Sequence, residues 1–153
     1  MSPLFSIKPE AVAIIDAADK HAILEQLSQT FATSYGLDDN RVLEHLDERE
    51  RLGSTGFGRG VAIPHARIAG LQRPVAALLK LRQPADFSAA DGLPVDLVFG
   101  LLSPENSGAT HLHALAAISR LMRDDRVREA LSDAPDKEAL YGLLTNVTDR
   151  DAA

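Results

Sequence analysis

The sequence predicts an α/β sandwich in which a mixed β-sheet carries helices on both faces. Helix-forming segments lie at both ends of the chain, and apolar strand candidates lie between them. Short links between some of these candidates indicate antiparallel as well as parallel strand pairs. The chain has 153 residues, 45% of them hydrophobic, which suits one full hydrophobic core. We therefore expect residues 1–153 to form a single domain.

The N-terminal elements follow from one apolar run and from residues that mark helix boundaries. A short apolar run is typical of an edge strand, and aspartate is favoured at helix N-termini. Gly36 stands where a helix commonly ends in a left-handed residue. The expected elements are a strand at Val12–Ile15, a helix capped by Asp16 that ends at about Tyr35, and a helix capped by Asp38 or Asp39 that ends at about Glu50.

The middle of the chain holds the other strand candidates, and the last third holds three helices. The stretch "VDLVFGLLSP" is nearly all apolar, which is typical of a central strand covered on both faces. The expected strands are Gly60–Ile63, Val75–Leu81 and Val95–Leu102. The expected helices run from about Thr110 to Met122, from Arg126 to Leu131 after Asp124, and from Lys137 to Val147 after Asp136, with a frayed tail from about residue 148.

The composition argues against several classes of protein. The formal net charge of −6 disfavours nucleic acid as the main partner, because a phosphate backbone requires a basic surface. The absence of cysteine excludes disulfides, thiol nucleophiles and cysteine-ligated metals. No apolar run is long enough to span a bilayer, and the start "MSPLFSIKPE" lacks the layout of a secretory signal. We therefore expect no membrane insertion and a cytoplasmic location.

The stretch "RLGSTGFGRGVAIPHAR" places His65 in a setting that distinguishes it from the other four of the five histidines. Pro64 has a fixed backbone and holds Ile63 extended, so the strand is expected to stop at Pro64 and present His65 at its mouth. Functional groups of α/β proteins gather at strand ends. A rigidly held neutral imidazole is a good nucleophile near pH 7, which predicts a histidine that accepts a phosphoryl group.

Helical geometry selects two further residues. His111 begins the apolar stripe of its helix and is expected to face inward, whereas His113 lies about 200° away and faces water. This divergence makes "HLH" a poor zinc motif, and a metal-dependent hydrolase that uses His65, His111 and His113 is the less favoured alternative. Arg49 points in the buried direction at the last turn of its helix, where its planar guanidinium can reach an anion at the adjacent loop.

The glycine-rich stretch "GSTGFGRG" lets the backbone approach another molecule closely. The hydroxyls of Ser54 and Thr55 are candidate donors to a phosphoryl group, together with the loop amides. Phe57 and Gly58 at the tip are the candidate partner-docking residues. Transfer between two histidines requires no metal or cofactor in this scheme, because cationic and neutral donors share the phosphoryl charge.

Three stretches, "ERERLGSTGFGRGVAIPHAR", "DGLPVDLVFGLLSP" and "THLHALAAISRLM", resemble the enzyme IIA proteins of the phosphoenolpyruvate phosphotransferase system, of the fructose/mannitol class. The glycine loop looks closest to the nitrogen-regulatory branch of that family. The resemblance covers nearly the whole chain and implies a mixed sheet of about five strands. It also implies that His65 is phosphorylated, that His111 and Arg49 assist it, and that Ser54 and Thr55 line the site.

The resemblance implies an HPr-like phosphocarrier, itself phosphorylated on a histidine, as the donor. The favoured interpretation is that the protein is a regulatory phosphocarrier. Its phosphorylation state would then control target proteins that the sequence does not identify. The alternative is the EIIA component of a fructose/mannitol-type sugar transport system, which passes phosphate to an enzyme IIB. A binding module with a vestigial site is disfavoured because every expected reacting group is present.

Overall fold

The computed structural model describes residues 4–152, with the side chains of residues 4–147, and it confirms the α/β class. The strands are β1 (Val12–Ile15), β2 (Gly56–Gly58), β3 (Val61–Ala62), β4 (His65–Ile68), β5 (Val75–Ala85) and β6 (Val95–Pro104). A 3₁₀ helix spans Pro9–Ala11, and the α-helices are α1 (Lys20–Tyr35), α2 (Asp39–Arg51), α3 (Ala109–Arg123), α4 (Asp125–Ser132) and α5 (Lys137–Ala152).

Within the described residues the strands form one mixed sheet in the order β1-β5-β6-β3-β2, and β4 also pairs with β6. The β5–β6 and β2–β3 pairs are antiparallel, whereas β1–β5, β3–β6 and β4–β6 are parallel. This confirms the mixed sheet and the edge position of Val12–Ile15. The sheet has six strands, in keeping with the about five that the resemblance implies; β2 and β4 are additional to the four strands expected from the apolar runs.

The strand β3 ends before Pro64, as expected, but pairing with β6 begins again at His65, which corrects the expectation that His65 lies beyond the end of the strand. β3 and β4 pair with consecutive parts of the same edge of β6, with Val61 opposite Leu97 and His65 opposite Leu101. Proline has no N–H to donate, but the Pro64 carbonyl accepts from the Leu101 N–H at 3.0 Å, so the ladder resumes after it. His65 is therefore the first residue of a resumed strand and is held within the sheet.

The glycine loop contains a β-hairpin that short apolar patterns do not predict. Arg59 and Gly60 join β2 to β3 with φ angles of 58° and 84°, both positive, as a type I′ turn requires. The strand β2 has three residues, two of them glycine, so it lacks the β-branched and aromatic pattern by which strands are recognised. The segment forms a strand because it pairs with β3.

Helices cover both faces of the sheet, as expected. α1 and α2 pack on one face with the alternate β5 residues Ala77, Leu79 and Leu81, and α3, α4 and α5 pack on the other face with Ala76 and Leu78. Among the helices of the described residues, none combines the length and the apolar content that a bilayer crossing requires.

Most helix boundaries agree with the expectations, with two differences. Gly36 ends α1 in the left-handed conformation, and Asp38 and Asp124 cap α2 and α4 through their side chains. α1 begins at Lys20 and its cap is Asp19 rather than Asp16, because the Asp19 carboxylate accepts from the Ala22 N–H at 2.8 Å. α5 extends to Ala152 rather than Val147; the side chains of the expected frayed tail lie outside the described residues.

Candidate active site

The His65 imidazole is held by one hydrogen bond at each ring nitrogen. Its Nδ1 lies 2.8 Å from the Ile63 carbonyl oxygen, and its Nε2 lies 3.2 Å from the Arg49 Nε. A carbonyl only accepts and a guanidinium only donates, so Nδ1 carries the hydrogen and Nε2 offers its lone pair. The two partners therefore assign a neutral imidazole whose nucleophilic atom is Nε2.

The surroundings of His65 keep the ring neutral. Burial lowers the pKa of His65 below its usual value of 6.5, and the positive charges of Arg49 and Arg67 lower it further. The hydrogen bond to the Ile63 carbonyl and the charge of Glu50 act in the opposite direction. Because burial prevails, the Nε2 lone pair is free of a proton at neutral pH.

Arg49 reaches the site from the last turn of α2, as the buried direction of that helix predicts. Its Nη1 donates to the Gly53 carbonyl at 2.9 Å while its Nε donates to His65. The carbonyl lies just beyond the C-terminus of α2 and fixes the plane of the guanidinium. Arg49 thus joins the end of a helix, the start of the glycine loop and the His65 ring.

His111 lies beside His65, in the first turn of α3. The two ring centroids are 5.7 Å apart, and the His111 Nδ1 is 2.7 Å from the Ser103 hydroxyl oxygen. His111 is buried and His113 is exposed, which confirms the inward and outward directions expected from helical geometry. Burial, followed by the charges of Arg67 and His65, lowers the pKa of His111 to about 4.

The lowered pKa values of the two histidines predict a loss of stability in mild acid. Both groups have a lower pKa in the folded protein than in the unfolded chain, so the unfolded chain binds protons first as the pH falls. The free energy of unfolding is expected to decrease from pH 6.5 toward about 4. Urea unfolding at several pH values measures this, and His111→Gln should flatten the slope. A wild-type stability that is constant between these pH values would contradict it.

Ser54 and Thr55 lie in the loop between α2 and β2, and both hydroxyls make hydrogen bonds within the protein. Ser54 Oγ donates to the Phe87 carbonyl at 2.8 Å and accepts from the Gly56 N–H at 3.0 Å. The Thr55 hydroxyl donates to the Glu50 carboxylate, and the Thr55 N–H donates to the same carboxylate at 3.0 Å. In this structure both hydroxyls hold the loop against its neighbours.

Phe57 and Gly58 lie in β2, and the Phe57 side chain faces the side of the sheet that carries α3. The Phe57 ring is partly exposed and packs against the core beneath the Arg123 guanidinium, which is 5.8 Å from the ring centroid. Arg123 ends α3 and His111 stands in its first turn, so about 18 Å of helix separates them. Phe57 therefore packs near the end of α3 opposite to the paired histidines.

Arg67 was missed because the strand was expected to end at Pro64. It follows His65 by two positions on β4, so both side chains leave the strand on the same face. Its charge lowers the pKa of both His65 and His111, and its Nη2 donates to the Gly108 carbonyl at 3.3 Å. A strand extended past the proline would have revealed this relation.

Glu50 was also missed, although it precedes the glycine loop directly. Its side chain is only 6% exposed and forms an ion pair of 2.9 Å with Lys20 in addition to its bonds with Thr55. Lys20 in turn lies over the Phe87 ring at 4.7 Å from the centroid. Glu50 thereby ties the loop that holds Arg49 to the start of α1, a link between residues distant in sequence that no local pattern indicates.

The described residues contain no group of three or more histidine, cysteine, aspartate or glutamate side chains arranged to hold a metal ion. His65 and His111 come together, but His113 points into solvent on the other side of α3. The three histidines of the hydrolase alternative are therefore not brought to one place. The site combines a nucleophilic imidazole, a second neutral imidazole and two guanidinium groups, which suits the binding and transfer of an anionic group.

The α/β sandwich and the sequence comparison together place the chain in the enzyme IIA class. Residues 6–147 match the family described as "Phosphoenolpyruvate-dependent sugar phosphotransferase system, EIIA 2". The chain belongs to this family, which confirms the resemblance noted from its motifs.

Nitrogen regulatory proteins are among the relatives of this chain, as is the fructose-specific EIIA component of Haloferax volcanii, which is 34% identical over 133 residues with 86% of each chain covered. The chain is 43% identical over 134 residues to the nitrogen regulatory protein of Pseudomonas aeruginosa, with 87% of each chain covered. It is 41% identical over 139 residues to the nitrogen regulatory protein of Bradyrhizobium diazoefficiens, covering 90% of this chain and 91% of the relative. The crystal structure of nitrogen regulatory protein IIA-Ntr from Neisseria meningitidis has a TM-score of 0.83 at 34% identity, covering 90% of this chain and 95% of that one.

Proposed function

We propose that this protein is a nitrogen-regulatory phosphocarrier that accepts a phosphoryl group on Nε2 of His65 from the phosphohistidine of an HPr-like protein. The observation that carries the proposal is the hydrogen bonding of the His65 ring. The Ile63 carbonyl holds the proton on Nδ1, and the Arg49 N–H faces the Nε2 lone pair. A nucleophilic atom therefore lies next to a phosphate-binding side chain. The nitrogen regulatory proteins among the relatives support the regulatory branch.

The transfer step follows from these contacts. The Nε2 lone pair of His65 forms the new N–P bond while the N–P bond of the donor breaks, and the donor nitrogen recovers its lone pair. The Nδ1 proton stays on His65, where the Ile63 carbonyl accepts it. Arg49 loses its acceptor on Nε2 when that bond forms, so its N–H is free to donate to a phosphoryl oxygen.

Two further groups are available to the transferring phosphoryl group. His111 is neutral at pH 7 and lies beside His65, and the Arg67 guanidinium leaves β4 on the same face as His65. Ser54 and Thr55 remain predicted phosphoryl-binding residues, and their hydroxyls must exchange their bonds with Phe87 and Glu50 to take that role. Arg49 needs no separate rearrangement, because formation of the N–P bond itself removes its acceptor on His65.

The donor is expected to dock across the mouth of the site. Leu52 precedes Gly53 and is 84% exposed, and Leu112 follows His111 and is 59% exposed. Exposed leucines adjacent in sequence to residues of the site suit a small, transient interface of the phosphocarrier type. Phe57 and Gly58 remain the docking residues predicted from the sequence, at the opposite end of α3.

The regulatory consequence rests on charge. A phosphoryl group adds about −1.5 to −2 charges at the mouth of the site, where Arg49 and Arg67 otherwise face a partner. Target proteins that bind one form should therefore bind the other form less well. The alternative function is that of the EIIA component in a fructose/mannitol-type transport system, in which the same phosphoryl group passes to an enzyme IIB.

Intact-mass analysis tests the proposal. Incubation with phosphoenolpyruvate, enzyme I and an HPr-like carrier is expected to add one acid-labile phosphoryl group to the protein. No gain in mass with a donor that labels a known enzyme IIA would overturn the proposal. Rapid loss of the label on adding a purified enzyme IIB of the fructose/mannitol class would favour the transport alternative, and retention of the label would favour regulation.

A further inference from the structure

Ser103 is a fully buried serine that takes no part in the transfer step proposed above. It lies near the end of β6, and the neighbouring odd-numbered residues Phe99 and Leu101 face the helix side occupied by α3. Its Oγ is 2.7 Å from the His111 Nδ1, and within the described residues this is the one hydrogen bond of its side chain. A buried polar group in such a place is expected to have a specific partner.

The single hydrogen of the Ser103 hydroxyl decides the direction of this bond. If His111 Nδ1 carried the proton, it would donate to Oγ, and the hydroxyl hydrogen would be buried without an acceptor. If Ser103 donates to Nδ1, both groups are satisfied, and the proton of the neutral imidazole lies on Nε2. We assign the second arrangement, in which His111 carries its proton on the nitrogen that Ser103 does not contact.

The two histidines then have opposite tautomers. His65 is protonated on Nδ1 by virtue of the Ile63 carbonyl, and His111 is protonated on Nε2 by virtue of Ser103. With ring centroids 5.7 Å apart, one imidazole offers a lone pair and its neighbour offers an N–H. A nucleophile requires the first arrangement, and a hydrogen bond to a phosphoryl oxygen requires the second.

We propose that Ser103 is a positioning residue that holds His111 in its Nε2–H tautomer, so that a neutral imidazole donates a hydrogen bond to the phosphoryl group at His65. The role in transfer rests on the proposed phosphocarrier function, whereas the tautomer itself is a property of the unphosphorylated protein. Ser103 does not contact the reacting atoms and acts through His111.

The first test is the ring-nitrogen spectrum of the unphosphorylated wild-type protein. Two-bond ¹H–¹⁵N correlation at pH 7 is expected to show an unprotonated, hydrogen-bonded Nδ1 and a protonated Nε2 for His111, with the reverse pattern for His65. A protonated Nδ1 on His111 would overturn the assignment. This result is decisive whether or not the protein is labelled by a phosphocarrier, so it separates the inference from the proposed function.

The second test is the phosphorylation rate of Ser103→Ala under single-turnover conditions. We expect it to fall about tenfold, with changed ¹⁵N shifts for the His111 ring and recovery in Ser103→Thr, which keeps the hydroxyl. Ser28→Ala is the matched control, because Ser28 is also fully buried but donates to the Leu24 carbonyl within α1. Unchanged rate and shifts in a folded Ser103→Ala protein would overturn the positioning role.

A double variant separates positioning from packing. In a His111→Ala background, Ser103→Ala is expected to cause no further loss of rate, because the residue through which Ser103 acts is gone. A further tenfold loss in that background would overturn the proposal, since Ser103 would then act on the site by another route.

Discussion

His65→Ala is expected to abolish phosphorylation of the protein, whereas His111→Ala is expected only to slow it. The first substitution removes the nitrogen that forms the bond to phosphorus, and a hydrogen-bond donor cannot replace a nucleophile. The second removes one hydrogen-bond donor to the phosphoryl group, which costs on the order of 2–4 kcal/mol of transition-state stabilisation. Intact-mass analysis over a time course, with acid treatment to confirm a phosphohistidine, measures both.

His113→Ala is the matched control for these two variants. His113 stands two positions from His111 on α3 but is exposed, so its removal is expected to leave the rate of labelling unchanged. Labelling of His65→Ala at the wild-type rate would mean that another residue accepts the phosphoryl group. Complete loss of labelling in His111→Ala, with the protein folded, would give His111 a larger role than that of an assisting donor.

Gly56→Ala is expected to cause a clear loss of stability although it adds only a single methyl group. A Cβ at Gly56 would lie 2.5 Å from the Ala89 Cα and 2.8 Å from its Cβ, closer than packed carbon atoms approach. The obstacle includes backbone, so rotation of a side chain cannot relieve it. The free energy of unfolding should fall by about 1–3 kcal/mol, measured by urea denaturation.

Gly142→Ala is the matched control: it makes the same chemical change, but the free energy of unfolding is expected to rise rather than fall. Gly142 lies within α5, and a Cβ there would meet nothing within 4 Å. Alanine in a helix interior is expected to stabilise by about 0.5–1 kcal/mol relative to glycine. Equal effects of the two substitutions would contradict the close contact between β2 and the loop at Ala89.

Gly56 also connects stability with the site. It follows Thr55, which is bonded to Glu50, and the same loop supplies the Gly53 carbonyl that anchors Arg49. A shift of the loop in Gly56→Ala should therefore slow phosphorylation as well as destabilise the protein. Gly142→Ala, which is remote from this loop, should leave the rate of phosphorylation unchanged.

Several elements of the fold could be predicted because their signals are local. The apolar stripe of α3 and the strong apolar run of β6 identify a helix and a central strand within single stretches of sequence. Gly36 and Asp38 mark helix boundaries through bonds to residues within a few positions. The inward direction of His111 follows from the same helical periodicity.

The strand that carries His65 shows where local signals fail. Pro64 breaks the pattern of apolar residues, so the sequence predicts an end to the strand at that position. Pairing with β6 resumes at His65 because the Pro64 carbonyl still accepts from Leu101, a residue 37 positions later in the chain. A hydrogen bond with such a distant strand is not encoded in the periodicity of the segment itself.

By itself the amino-acid sequence determined the α/β class, the helices that cover the sheet, and the candidate pair His65 and His111. Only the tertiary structure decided which groups face the ring nitrogens of the two histidines, namely the Ile63 carbonyl, Arg49 and Ser103. These partners come from the link between β3 and β4, from the last turn of α2 and from β6. Their distances are determined by the register of β4 against β6 and by the packing of α2 and α3, which no single segment specifies.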